Sequence, residues 1–419
     1  MEKERMEHIK RLALPQQYVD ENLGKGIEAH YLEVFIHNEA REVLQSFLNG
    51  GFSKLGFALY PLVQDVSMEN RLRLNRIRKA AKMLHQKNGE FAASSAFVFP
   101  IVSSSSCARF LSLLFGDLSS LKRGKTIQVR KKPCEPFDLK DYDEKDKEYL
   151  KPVSELSAYA KKHISKDILG FYLHGSLATN DFVKGWSDCD TLLVISKEAS
   201  QDPEKLLSLR KRIFHMRRFF LKIDPLQHHG CMVISEHDFF NYSQAYFPLP
   251  LFSYAKSLSE DNVSLIHQRE MGPQRYEKLY WFVEHFRRMK REGRSSLGSY
   301  EAKSLLHLIA LFPSLYLQAK EVYVYKKFSF EMARKDFHKE VWRPIETMTK
   351  IREGWRPFPE LPFVRMKAMV NPVAAYQANA IVGDAVLGMK RKNNVAAGEL
   401  VSQMGVLAEE AWEKIAKRI

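Results

Sequence analysis

"LHGSLATNDFVKGWSDCDTLLVIS", residues 173–196, places two aspartates one residue apart, Asp188 and Asp190, directly ahead of the apolar run Leu192-Leu193-Val194-Ile195. Upstream, ILGFYLH (168–174) is an apolar run of strand length. Gly175 and Ser176 follow, and SLATNDF predicts a short helix starting at that serine, so the pattern is strand, tight turn, helix N-terminus. Backbone N–H groups at such a terminus, beside a small hydroxyl and a glycine without Cβ, suit phosphate oxygens. A second strand is expected from about Cys189 to Ile195. Alternate strand residues share a face, so Asp188 and Asp190 point together while Cys189 points the other way. Two carboxylates on one face near an anion-binding turn suit hard divalent cations such as Mg²⁺ that bridge protein and phosphate.

The rest of the chain limits the partners. Its 419 residues, 45% hydrophobic and 12% aromatic, allow two or three domains with real cores. Lys and Arg outnumber Asp and Glu by 65 to 50, a formal charge of +15 that favours nucleic acid, nucleotides or an acidic membrane surface. The four cysteines, Cys107, Cys134, Cys189 and Cys231, lie far apart with no CxxC pair, which suggests neither a zinc site nor a disulfide framework and fits a reducing cytoplasm. The stretch MEKERMEHIKRL leads into no apolar segment, so no secretory signal is expected. The most apolar stretches, 94–115 and 304–319, are broken by Arg109 and a serine run in the first and by His307 and Pro313 in the second, so no membrane span is expected.

Three regions follow from the patterning. Residues 1–145 read as a mostly helical accessory region, with EAREVLQSFL and MENRLRLNRIRKAAKMLHQ, that ends in the charged connector KRGKTIQVRKK and DLKDYDEKDKE. Residues 146–262 alternate helical and strand-like runs, and 263–419 are dominated by amphipathic helical patterns. The stretch SSLKRGKT (119–126) ends like a phosphate-binding P-loop but lacks that loop's first glycine, at Ser119, and a preceding strand, so it is set aside.

Gly175-Ser176, eleven residues, then Asp188-Cys189-Asp190 and an apolar strand resembles the signature of the DNA polymerase beta-like nucleotidyltransferase superfamily. The resemblance covers roughly 150–262. It implies an α+β domain, a mixed sheet with flanking helices, followed by an all-helical C-terminal domain. It also implies that Gly175 and Ser176 contact the triphosphate of an incoming nucleotide and that Asp188 and Asp190 ligate Mg²⁺ or Mn²⁺. A third carboxylate on a neighbouring strand usually completes such a site. FFLKID (219–224) looks like that strand in the glutamine-synthetase adenylyltransferase branch, which makes Asp224 the third metal ligand. The competing alignment takes GCMVIS (230–235) as the strand and puts His228 or His229 at the carboxylate position. Asp224 is preferred, since histidine is a poorer ligand for Mg²⁺. Residues 299–337 look like the helix, connector, lysine and helix arrangement of small-molecule nucleotidyltransferases, in which a lysine reaches the triphosphate; here that is Lys326 or Lys327, with Lys303 the weaker candidate.

The implied reaction is attack by an acceptor hydroxyl on the α-phosphate of a nucleoside triphosphate, ATP by abundance, with loss of pyrophosphate. The acceptor is open among a small molecule, an RNA end and a protein; the charge of +15 tilts toward an anion, and RRMKREGR (287–294) reads as a run that tracks a nucleic-acid backbone or as one wet helix face. The alternative is a catalytically silent nucleotidyltransferase fold acting as a nucleotide- or RNA-binding scaffold. Three carboxylates within bridging reach favour the enzyme, and two favour the scaffold.

Overall fold

A computed structural model describes residues 27–49, 66, 68–98, 100–121, 128–131, 134–259 except 225, 228, 240, 241, 243 and 245, then 264–267, 274–293, 297, 299–355 and 397–417. Helices α1 (Ala29–Asn49), α2 (Met68–Lys87) and α3 (Ser104–Ser119) form the first part. The serine run that interrupts the first apolar stretch starts α3: Ser103 is its N-cap, and it and Ser106 form a reciprocal capping box. The charged stretch expected as a plain connector adds two short strands, β1 (Gln128–Lys131) and β2 (Glu135–Pro136), before helix α4 (Glu144–His163). The P-loop-like SSLKRGKT falls in part, at 122–126, outside the described residues.

The opening stretch folds as strand, turn and strand. Strand β3 (Ile168–Leu173) is followed by a single helical turn, α5 (Gly175–Ala178), and by β4 (Thr191–Ile195). Every residue of β4 is buried, as a run with no polar alternation requires. β4 starts two residues later than its sequence pattern suggests, so Asp188 and Asp190 sit in the extended lead-in to it. FFLKI is not a strand. It is the last part of helix α6 (Pro203–Ile223), capped at its start by the Asp202 side chain, which accepts from the Glu204 and Lys205 N–H groups. Leu206, Leu209, Ile213, Met216, Phe220 and Ile223 keep a helical period that buries one continuous face, and this overrides the apolar appearance of the end taken by itself. Asp224 is the C-terminal cap residue of that helix rather than a strand residue.

The strand after α6 is β5 (Met232–Ser235), within GCMVIS; β6 (Lys256–Ser257) and β7 (Ser264–His267) follow. The five-stranded mixed sheet has the order β2-β6-β3-β4-β5, with β3 antiparallel to β4 and β4 parallel to β5. β1 and β7 pair antiparallel by themselves. One hydrophobic core runs from Ile27, just ahead of α1, through the sheet to Leu258, so the N-terminal helices and the sheet bury a common interior. A second core is built by α7 (Gln274–Glu292), α8 (Ser299–Ala319), α9 (Lys326–Arg334), α10 (Lys339–Glu353) and α11 (Ala397–Ala416), and it takes in Trp186 and Leu226 from the loops of the sheet region. The architecture is a mixed α+β chain with a helical C-terminal part. No helix among the described residues is long and apolar enough to cross a membrane.

Candidate active site

The turn between β3 and α5 brings Gly175 against Asp190. Gly175 has φ +72, and a Cβ there would meet the Asp190 Oδ2 at 2.3 Å. Glycine is required on both counts, by the left-handed backbone and by the close approach of the carboxylate. The His174 N–H donates to the Asp190 carbonyl at 2.9 Å, which zips the turn to the Asp-Cys-Asp segment. The Ser176 hydroxyl donates to the Ser187 Oγ at 2.9 Å, and the same oxygen accepts from the Val183 N–H at 3.0 Å, fixing the loop between the two halves of the motif. The first N–H groups of a helical turn have no intrahelical partner.

Asp188 and Asp190 do share a site, and the group facing both is a histidine. The His229 Nε2 lies 3.0 Å from the Asp188 Oδ2 and 3.2 Å from the Asp190 Oδ1. Ligand atoms of all three residues fall within 4.8 Å of one another. The His229 Nδ1 sits 3.0 Å from the Gly230 carbonyl, which can only accept, so Nδ1 carries a proton. Nε2 faces two carboxylates, whose oxygens only accept, and this favours the protonated ring. Burial lowers the His229 pKa, but hydrogen bonds to Asp188 and Asp190 outweigh it and hold the ring well above its ordinary value. Burial likewise raises the Asp188 carboxyl; the His307 and His229 rings and Lys303 more than reverse this and hold it well below the usual carboxylate range. His228 lies outside the described residues.

Asp224 is engaged elsewhere. Its Oδ2 is 2.5 Å from the Lys303 Nζ, and the two residues are 1% and 0% exposed. Burial, joined by the charge of Asp188, raises the Asp224 carboxyl against the pull of Lys303. The expectation that Asp224 joins Asp188 and Asp190 as a third ligand is thus not what the structure displays: the position between the two carboxylates is taken by His229, from the loop before β5, as the competing alignment had it. Lys303, the weaker lysine candidate, is the partner of Asp224.

The lysines at the start of α9 separate in the same way. Lys327 is exposed and lies 3.6 Å from Asp181. Lys326 is partly buried; burial lowers its pKa, and the charges of Asp190 and Asp188 oppose that, which places its ammonium within electrostatic reach of both. Just before it, the Tyr325 hydroxyl contacts the Thr179 Oγ1 at 2.9 Å, tying α9 to the glycine turn.

Sequence patterning missed His307 and Gln227. The His307 ring stacks on Trp186 at 4.6 Å, and its Nδ1 lies 3.6 Å from the Asp188 Oδ2. The signal was present: Lys303 and His307 are one helical turn apart on α8 and therefore share a face. Gln227 accepts from the Cys189 N–H at 3.0 Å and donates to the Cys189 carbonyl at 3.1 Å and the His229 carbonyl at 3.2 Å, which clamps the histidine loop to the aspartate segment. Nothing in a lone glutamine announces that role.

No protein-family model, curated protein or solved structure matches this chain.

Proposed function

We propose that the protein is a divalent-cation-dependent nucleotidyltransferase of the polymerase beta-like kind, transferring a nucleoside monophosphate, AMP from ATP by abundance, to the hydroxyl of an acceptor. The observation that carries this reading is the contact between the Gly175 turn and Asp190, with a built Cβ only 2.3 Å from the carboxylate, because it puts a phosphate-admitting turn and a cation ligand in one place.

The donor set fits a divalent ion. Two ligands at right angles around an ion with bonds of about 2.1 Å lie about 3.0 Å apart, and the observed separations to His229 are 3.0 and 3.2 Å. Asp188 and Asp190 would hold Mg²⁺ or Mn²⁺, which when bound neutralises phosphate charge and acidifies the acceptor hydroxyl. Gly175 admits the Asp190 carboxylate against the turn, and Lys326 adds positive charge within electrostatic reach of both aspartates. In the transfer, the acceptor hydroxyl loses its proton to solvent, its oxygen bonds to the α-phosphorus, the bond from that phosphorus to the oxygen bridging to the β-phosphate breaks, and pyrophosphate leaves with that electron pair. Positioning and charge neutralisation are the main demands of such chemistry.

The acceptor reads as a small molecule, an RNA end or a protein, with the net charge of +15 favouring an anion. The basic run at 287–294 adds less than its sequence suggests. The Arg287 NH2 donates to Glu409 at 2.6 Å, and Arg287 also bonds Glu284, so this arginine joins α7 to α11. The four cysteines are buried and joined by no disulfide, which fits a reducing compartment such as the cytoplasm.

A second reading has an observation of its own. Among the described residues the cluster holds two carboxylates, and the His229 between them has its pKa raised by both, so the protein places positive charge of its own where a cation would sit, and a silent nucleotide-binding scaffold needs no more. Incubation with each α-phosphate-labelled triphosphate, Mg²⁺ or Mn²⁺ and a cell extract separates the two. The enzyme labels one fraction, and Asp190→Asn, whose parent side chain is 30% exposed and so tolerates exchange, does not. Equal labelling by wild type and Asp190→Asn, or nucleotide binding without any labelling, refutes the enzyme.

A further inference from the structure

We infer that His229 is itself the third ligand of the cation site, and that this set of two carboxylates and one imidazole takes Mn²⁺ in preference to Mg²⁺. The inference rests on the cation site proposed above.

The ring is built in as a ligand is. Its Nδ1 donates to the Gly230 carbonyl at 3.0 Å, which leaves Nε2 as the atom that would bind a metal, its proton passing to solvent as the ion takes its place between the aspartates. That Nε2 is 3.0 Å from the Asp188 Oδ2 and 3.2 Å from the Asp190 Oδ1, so an ion reached by either aspartate has the histidine within bonding range. The loop is fixed from two sides. Gln227 ties the His229 carbonyl and both backbone polar groups of Cys189 together. From the N-terminal region, the Asn49 Nδ2 at the end of α1 donates to the Cys231 carbonyl at 2.8 Å, and a Cβ on Gly230 would strike the Asn49 Oδ1 at 1.9 Å. Gly230 leaves room for the Asn49 side chain, and the Asn49 bond holds the backbone just after Gly230, two residues beyond His229.

Donor chemistry then selects the ion. Mg²⁺ prefers oxygen ligands in near-ideal octahedra, whereas imidazole suits transition metals, and Mn²⁺ accepts both imidazole nitrogen and the carboxylate and phosphate oxygens that a triphosphate site needs.

The test reads cation binding on the full chain with neither triphosphate nor acceptor present. Mn²⁺ titrated into the wild type and followed by electron paramagnetic resonance should bind at least about tenfold more tightly than Mg²⁺ measured by competition, and echo-modulation spectra should carry the nitrogen signature of a coordinated imidazole. His229→Asp should narrow the Mn²⁺ over Mg²⁺ ratio about tenfold by restoring an all-oxygen set. Because the nitrogen signature is read on the wild type, a variant that does not fold leaves the test intact. Bound Mn²⁺ without that signature, or equal affinity for the two ions, overturns the inference while leaving the cation site. Absence of Mn²⁺ binding overturns both, and Mn²⁺ binding with the signature but no nucleotide transfer overturns only the enzymatic reading.

Discussion

At Gly175 the two halves of the motif meet, and its substitution separates phosphate anchoring from general fold damage. Gly175→Ala introduces a Cβ at a backbone of φ +72 into the space of the Asp190 Oδ2, so it displaces a carboxylate as well as straining the turn. Binding of a non-hydrolysable triphosphate, read by calorimetry, should fall far more than in Ser176→Ala, which removes one hydroxyl bond to Ser187 and costs about 1 kcal/mol. Equal, mild effects contradict a phosphate-cradling turn. The two aspartates are also unequal. Asp188 is 5% exposed and held by His229 and His307, whereas the Asp190 side chain is 30% exposed. Asp188→Asn takes an anion from between two histidine rings, so its melting temperature should drop clearly below that of Asp190→Asn; matching melts would contradict the geometry. The aspartate pair and the glycine were legible because their chemistry is local. The choice between Asp224 and His229 was not, because it depends on whether FFLKI ends a helix or forms a strand, and an apolar run of that length serves either.

The helix α1 meets the sheet region through a pair of histidines, and this junction responds to pH. The His37 ring stacks on the His237 ring at 4.8 Å, and the Arg41 NH1 lies 3.7 Å from Asp238 in the same turn. Burial, then the nearby His237 and Arg41, hold the His37 pKa well below its ordinary value. His37 is therefore neutral in the folded state, while the unfolded chain takes up a proton below about pH 6.5, so this group lowers stability as pH falls beneath that value, by at most about 1.4 kcal/mol per pH unit. Denaturant midpoints of the wild type between pH 7 and pH 5 should fall more steeply than those of His37→Gln, and parallel profiles contradict the assignment. Helical period alone indicated α1 and α2 as elements; their attachment to the sheet through Asn49, His37 and one continuous core was not legible, because contacts between segments nearly two hundred residues apart leave no local pattern.

Across the whole molecule, the helical part reaches the sheet region through Lys303, Tyr325 and His307. The buried pair Lys303 and Asp224 joins α8 to the end of α6, and breaking it strands a charge in the interior. Asp224→Ala should cost about 3–5 kcal/mol in urea unfolding, and adding Lys303→Met should recover most of that, since removing both charges leaves none unpaired. Turnover lost in Asp224→Ala with no loss of stability would instead return Asp224 to the role of cation ligand. On the proposed reading Asp188, Asp190 and the Gly175 turn form one cation and triphosphate site, and crystals grown with MnCl₂ and a non-hydrolysable nucleoside triphosphate, measured for anomalous scattering, test it. A manganese peak bonded to both carboxylates is expected, with the triphosphate lying between the Gly175 turn and Lys326; a triphosphate bound elsewhere, or no peak and His229 still bridging the two aspartates, rules the site out.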